Sequence, residues 1–344
     1  MGGSREPENA GERGGLGELA VEGVLLTRWA REAGWSASAL SRSLAAEGWT
    51  RIPGGGWAEP GRAVDLAVRL WAGQLTMPGL VASHRSAAAL WRIEVLREEL
   101  EFTDPLGTRR KVGARVHWLP LPQVGIAVVG DLRVTTVVRT LADLLRGGPR
   151  EDALVALDSA LSSRRYGGRC RRGPLIGGVD AVAEALDAPP VAGAAGVVRA
   201  RRWLALADPG AGSPAETVAR LRMRDAGLCP ETQAEILTPS GRLLRADFLF
   251  RGEGVVVEIE GYAYHGTREA HRRDLARYND LASCPEVRVL LRFGAEEVFG
   301  APEAFVARVR AAVGRARGGG FDVPGSGGGR GRPVLGSVAV PAAQ

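Results

Sequence analysis

Three acids in the last third of the chain are spaced for chemistry on a phosphate. Glu258 and Glu260 close the run VVVEIEG, two residues apart. Side chains alternate across a strand, so that spacing places both carboxylates on one face and Val257 and Ile259 on the other. Asp247 follows Arg245-Ala246 at the start of the apolar part of a neighbouring strand. Carboxylates that leave an apolar strand together are costly unless solvent, a cation or a partner compensates them. With Asp247 across a short turn, the set makes an oxygen site for Mg²⁺ or Mn²⁺. Such an ion polarises a phosphodiester and helps generate hydroxide from water. Structural roles compete: Asp247 as a turn residue or arginine partner, Glu258 and Glu260 as a solvated edge-strand face. The flanking VVV run favours a central strand.

The elements that must position these acids read as follows. Ser213 caps a helix, PAETVARLRMRDA, with Pro214 at its first position and Gly227 as its stop. Strand-like TQAEILT, a Pro-Ser-Gly turn, LLRADFLF, a second turn at 251–254 and VVVEIEG come next. TREAHRRDLARYNDLA is a further helix, and VRVLLRF a further strand. Helix, three strands, helix, strand predicts a short mixed sheet flanked by helices. Glu216 sits at N3 of Ser-Pro-Ala-Glu, a capping-box position that explains it structurally beside any metal or catalytic role. Arg273, Asp274 and Arg277 are helical neighbours, suited to salt bridging first and phosphate contact second.

The helix with Glu216, then ADFLF, VVVEIEG, YAYHG, RRDLARYNDL and VRVLLRF, resembles the very-short-patch-repair-like endonuclease domains of the PD-(D/E)xK superfamily, over about 100 residues. The resemblance implies a metal-dependent nuclease. Asp247 takes the place of the first acid and Glu258 of the second. Glu260 stands where the pattern has lysine, a departure that bears on mechanism more than on fold. His265 matches a histidine that often follows, which implies a general base or water-orienting group. Arg292, inside VRVLLRF, is a candidate electrostatic substitute for the lysine.

Further forward, LLTRWAREAG reads as a helix ended by Gly34, and ALSRSLAAE as a second, capped by Ser36 or Ser38 and ended by Gly48. WTRI and WAEP flank a glycine turn as two short strands, the layout of a small winged helix. A middle unit follows. AVDLAVRLWAGQL is a helix, Ser83 can cap HRSAAALWRI, and ELEFTD with RRKVGARVHWLP reads as a hairpin about Pro-Leu-Gly-Thr. GIAVVGDLRVT adds strand, Thr136 caps VVRTLADLL, and EDALVALDSALSS is a last helix. These segments resemble the AbiEi-like antitoxin region of type IV toxin–antitoxin systems. Winged helices place a helix in the major groove, which makes Arg42 and Arg51 the candidate DNA contacts. With so few basic residues there, a protein–protein role stands beside DNA binding.

The expected fold class is α+β multidomain: N-terminal winged helix, α/β middle unit and C-terminal restriction-endonuclease-like mixed sheet. The expected divisions are 1–18 disordered, 19–60 winged-helix-like, 61–165 middle unit, 166–212 basic connector with helices at VDAVAEAL and VVRARRWLALA, 213–316 nuclease-like and 317–344 disordered. Two functions follow: a divalent-metal-dependent DNA endonuclease with a DNA-binding front half, or a non-catalytic antitoxin-like DNA-binding regulator with an inactive rear domain.

Bulk composition sets the frame. The chain has 344 residues and formal net charge +6, with 45% hydrophobic and 24% charged residues. Residues 161–202 hold 8 Arg against 3 acids, so the positive excess sits in the connector and is either a solvated linker or a source of phosphate contacts. Cys170, Cys229 and Cys284 form no close pair, which argues against a disulfide framework or zinc site. The polar N-terminus lacks a signal-peptide core and no apolar run reaches membrane length, so a cytoplasmic protein without membrane association is expected. No nucleotide-binding loop is present.

Overall fold

The computed structural model describes residues 14–107, 113–162, 165–166, 169–170, 173–188, 195–260 and 268–318. It is a mixed α/β, multi-sheet protein. No helix among the described residues is long and apolar enough to cross a membrane.

The front unit holds β1 (Val24–Leu26), α1 (Thr27–Glu32), α2 (Ala37–Glu47), β2 (Thr50–Ile52) and β3 (Gly56–Ala58). The three strands form one antiparallel sheet in the order β1-β3-β2. Val24, Leu25 and Leu26, the last two expected as the start of a helix, instead pair with Gly56–Ala58; all three are buried, and the helix begins at Thr27. Ser36 caps α2 by accepting from the Ala39 N–H, and Gly48 ends it in the left-handed region at φ 79°. The packed chain begins within the stretch expected to be disordered, because Leu16 is buried against Leu25, Leu40 and Leu44.

The middle unit runs α3 (Leu66–Thr76), β4 (Val81–Ala82), α4 (His84–Leu90), β5 (Glu101–Thr103), β6 (Arg115–His117), β7 (Ile126–Val129), β8 (Leu132–Thr135), α5 (Val137–Gly147) and α6 (Arg150–Leu161). Its five-stranded sheet has the order β6-β5-β4-β8-β7. The expected hairpin between β5 and β6 is not formed. The two strands pair in parallel, Phe102 opposite Val116, and a tight turn cannot join parallel neighbours. Ser83 precedes α4 but makes no side-chain cap; its hydroxyl bonds the His84 ring instead.

The stretch expected as a connector carries a two-stranded ladder, β9 (Arg165–Tyr166) with β10 (Arg169–Cys170), and the helices α7 (Asp180–Asp187) and α8 (Val197–Leu204). Val182, Leu186, Ala200 and Leu204 are buried in one core with Leu141, Leu145 and Leu157. Alternating small and large apolar residues at helical spacing make those two helices part of the middle unit's core.

The C-terminal unit holds α9 (Pro214–Asp225), β11 (Glu231–Leu237), β12 (Leu243–Phe250), β13 (Val255–Glu260), α10 (Arg268–Ala282), β14 (Val289–Gly294), α11 (Ala295–Gly300) and α12 (Pro302–Gly318). Its sheet is β11-β12-β13-β14, with β13 and β14 parallel and the other pairs antiparallel. β13 is central and its three valines are fully buried. Phe248, Phe250, Val257 and Phe293 meet α9 and α12 on one face, while Ala246, Leu249 and Val256 meet Leu281 of α10 on the other.

A buried carboxylate fixes α9, and with it Glu216, to the middle unit. Asp158 of α6 is fully buried. It accepts from the Asp208 N–H at 2.8 Å, the Thr217 hydroxyl at 2.9 Å and Arg220 Nη2 at 2.9 Å. Removing one partner of such a buried pair leaves a desolvated charge behind. Asp158→Ala is expected to lower stability by about 3–5 kcal/mol in chemical denaturation; a loss below about 1 kcal/mol would show that the anchor is dispensable.

Candidate functional site

The acids meet where the C-terminal sheet opens. β12 and β13 pair regularly at Phe250–Val255, Leu249–Val256 and Phe248–Val257. At the next positions, Asp247 and Glu258, side chains replace the ladder. The Ile259 N–H donates to Asp247 Oδ2 at 2.8 Å, and the Asp247 N–H donates to Glu258 Oε1 at 3.3 Å. Each carboxylate thus takes a backbone donor of the opposite strand. This satisfies the backbone and holds the two side chains together.

On the other side of Asp247 stands Gln233 of β11. The β11–β12 register runs through Thr232–Phe248 and Ala234–Ala246, and skips Gln233 opposite Asp247. Gln233 has φ 48°, a left-handed conformation uncommon for a residue with a side chain. Its amide nitrogen donates to Asp247 Oδ1 at 3.2 Å and to Glu216 Oε2 at 3.0 Å. One –NH₂ therefore bridges carboxylates from α9 and β12. Non-glycine backbone held in this region marks sites where surrounding structure dictates geometry.

Glu216 reaches the cluster because of how α9 begins. Ser213 accepts from the Glu216 N–H at 3.2 Å as an ordinary cap. The Glu216 carboxylate does not return to Ser213, as a capping box requires. It accepts from the Gly212 N–H at 2.7 Å and faces Gln233 and Asp247.

Helix α10 and strand β14 supply positive charge. Arg277 grips both oxygens of Glu258, at 2.6 and 3.2 Å, and donates to the Arg245 carbonyl at 2.6 Å. Glu260 lies further out, bonded to Arg292 and within 3.4 Å of the Tyr278 hydroxyl. Arg292 stacks on the Tyr278 ring at 3.7 Å. Glu258 and Glu260 thus face α10 together, as their spacing predicts. Arg292, considered as a counter-charge for the acidic cluster, meets Glu260, while Arg277 meets Glu258. His265 lies outside the described residues, as does the side chain of Arg273. Arg42 on α2 and Arg51 on β2 are exposed and far along the chain from the acids.

The electrostatics follow from burial. Asp247 is pushed up to about 7 by desolvation and then by the Glu216 charge. Glu258 is pushed up to about 7 by desolvation and then by Asp247, with Arg277 pulling the other way. Burial and Glu260 push the Tyr278 hydroxyl up to about 12. Among the described residues, no group of three or more His, Cys, Asp or Glu side chains is gathered into a metal-binding arrangement. The oxygens of buried Glu216 and half-buried Asp247 are hard donors of the kind a divalent ion takes, whereas Glu258 is already paired with a guanidinium. Arg277 occupies the Glu258 oxygens such an ion would use.

The chain is 33% identical over 223 residues to the uncharacterized proteins MT2308 and Rv2248 of Mycobacterium tuberculosis, spanning 63% of this chain and 76% of each of theirs. The chain belongs to their family. No family model matches it. The crystal structure of RV2827C protein from Mycobacterium tuberculosis covers 65% of this chain and 82% of that one at 19% identity, with a TM-score of 0.36, a likeness too slight to carry weight.

Gln233 and the Arg277–Glu258 pair are the features that strand and helix patterns do not reveal. A glutamine inside a strand run is unremarkable until its backbone conformation is known.

The raised pair makes stability depend on pH with a definite sign. The folded state keeps protons that the unfolded chain has released above about 4, so this pair's contribution falls as pH rises through about 7. His84, pushed down to about 4 by burial, acts in the opposite sense. The difference in melting temperature between Asp247→Asn and wild type isolates the pair. That difference is expected to shift in the variant's favour between about pH 5 and about pH 8; a constant difference would mean that Asp247 titrates ordinarily.

Proposed function

We propose that the C-terminal unit is a divalent-metal-dependent DNA endonuclease of the PD-(D/E)xK type, hydrolysing phosphodiester bonds. The observation that carries this reading is that one amide, Gln233, bridges Glu216 and Asp247, from a helix and a strand, while Glu258 of the next strand takes the Asp247 N–H. Structural carboxylates are ordinarily paired one to one or solvated, whereas burial pushes both Asp247 and Glu258 up to about 7, a perturbation of the kind that gathers at functional sites. Asp247 and Glu258 would hold Mg²⁺ or Mn²⁺, with Glu216 beside them. When bound, the ion polarises the phosphodiester and lowers the pKa of water.

The chain's own residues have separable tasks. Gln233 fixes the orientation of Glu216 and Asp247. Arg277 balances Glu258 and is placed to exchange that carboxylate for a phosphate oxygen, since guanidinium suits both in the same two-point geometry. Arg292 holds Glu260 away from the inner acids, so Glu260 belongs to the rim of this site. The front unit, read as a winged helix with AbiEi-like character, would contact DNA through Arg42 and Arg51, and the arginine-rich stretch 161–202 would add sequence-independent phosphate contacts.

The second reading is a non-catalytic DNA-binding regulator. It is favoured by the two ion pairs, Arg277–Glu258 and Arg292–Glu260, which already neutralise two of the acids.

Incubating the full chain with supercoiled plasmid separates the two. Nicking is expected with Mg²⁺ or Mn²⁺. Asp247→Ala and Glu258→Ala are expected to reduce it by about 100-fold or more, and Gln233→Ala by about 10–100-fold. No cleavage of supercoiled, linear or single-stranded DNA by the wild type would favour the regulator.

A further inference from the structure

A second polar site lies in the middle unit, independent of the acidic cluster. A cleft of about 410 Å³ opens between β5, β6, α4 and the turn after α5. That volume is in the range of small-ligand pockets and exceeds what a bare ion needs.

Its floor is built from two histidines and an acid. The His84 and His117 rings stack, with centroids 3.6 Å apart and planes inclined by 15°. His117 Nε2 lies 3.1 Å from Glu101 Oε1, and Glu101 is 1% exposed. Glu101 is fixed from below by the Arg85 N–H at 2.9 Å. His84 is 4% exposed, and its Nδ1 bonds the Ser83 hydroxyl at 3.0 Å, leaving Nε2 without a partner among the described residues. His84 has φ 49°. A histidine held in the left-handed region costs free energy that packing elsewhere must offset, and such residues gather at ligand sites. Two imidazoles, one strained and both ordered by buried partners, are more than this short strand-to-helix junction needs for folding.

The walls are cationic. Arg85 is committed, to Asp152 at 2.6 Å and Glu99 at 2.8 Å. The other arginines are held more loosely. Arg115 stands 3.7 Å from Glu99 and 3.9 Å from Glu101, too far for hydrogen bonds. Arg97 is exposed, and the described residues give it no ion-pair partner. Arg199 donates only to the Arg146 carbonyl, at 2.7 Å, and lies over the Trp203 ring. Three guanidiniums with unspent donors therefore surround a floor of imidazoles, against two carboxylates of which one is buried.

We propose that this cleft binds a phosphomonoester: the phosphate of a small nucleotide-like ligand, or the terminal phosphate of a nucleic acid. Guanidinium forks match phosphate oxygens in two-point geometry. With its Nδ1 accepting from the Ser83 hydroxyl, His84 offers its Nε2–H as one donor at the floor. Glu101, which also lines the cleft, is engaged by the His117 ring nitrogen and the Arg85 N–H and so orients His117.

Arg97→Gln and Arg115→Gln test this, since both side chains are exposed and the Arg85–Asp152 pair is untouched; Arg115 loses only its two long ion pairs, to Glu99 and Glu101. Calorimetric titration of the full chain uses three probes: inorganic phosphate, a nucleoside 5′-monophosphate, and a short oligonucleotide with 5′-phosphate set against its 5′-hydroxyl form. Binding of at least one phosphate probe is expected, weakened about tenfold or more in each variant at unchanged melting temperature. Binding of phosphate or the monophosphate identifies a free small ligand. Binding of the 5′-phosphorylated oligonucleotide alone identifies a nucleic-acid end. Failure of the wild type to bind any probe, or equal binding by wild type and both variants, overturns the proposal.

Discussion

Two carboxylates on adjacent strands cannot both be charged in a desolvated place unless something positive or hydrogen-bonding stands beside them. That constraint governs the C-terminal unit. Asp247 and Glu258 face each other where the β12–β13 ladder ends, and Glu216 adds a third charge from α9. The chain answers with backbone donors from Ile259 and Asp247, with the Gln233 amide and with Arg277. These partners leave both acids raised to about 7. The sheet end is therefore compensated enough to fold, yet both acids stay well above the ordinary carboxylate range.

Several distant features exist to hold that arrangement. The valines of β13 and Phe248 build a core on either side of the strand, which makes the acidic end rigid. The Asp158 network fixes α9 against the middle unit, so the position of Glu216 depends on a helix that precedes it by more than fifty residues. The strained backbone at Gln233 is tolerable because its neighbours Thr232 and Ala234 remain in register with β12. Removing any one of these would loosen a carboxylate without touching it.

The parts legible in the sequence are those set by local periodicity. Alternation in VVVEIE puts Glu258 and Glu260 on one face, and the apolar run marks β13 as central. Ser213 and Gly227 bound α9 through capping chemistry that depends on neighbours a few residues away. What was not legible depends on long-range pairing. The parallel β5–β6 pair looks locally like a hairpin, since both strands and a turn motif are present. Val24–Leu26 continues the apolar pattern of a helix, and only its antiparallel partner at Gly56–Ala58 makes it a strand. Glu216 shows a capping-box spacing, yet its carboxylate is drawn past Ser213 to Gly212 and Gln233 by tertiary contacts. The arginine-rich stretch after Tyr166 has the composition of a linker, but two short helices in it bury leucine and valine in the middle core.

The central claim is that Asp247 and Glu258 share a desolvated space and resist ionisation together. Carbon-13 NMR titration of the side-chain carboxyl groups of the full chain, assigned through Asp247→Asn and Glu258→Gln, measures this directly. Midpoints near 7 for both groups are expected, with the remaining one falling when its neighbour is neutralised. Midpoints near the ordinary carboxylate value of about 4, unmoved by the neighbour's substitution, would contradict it.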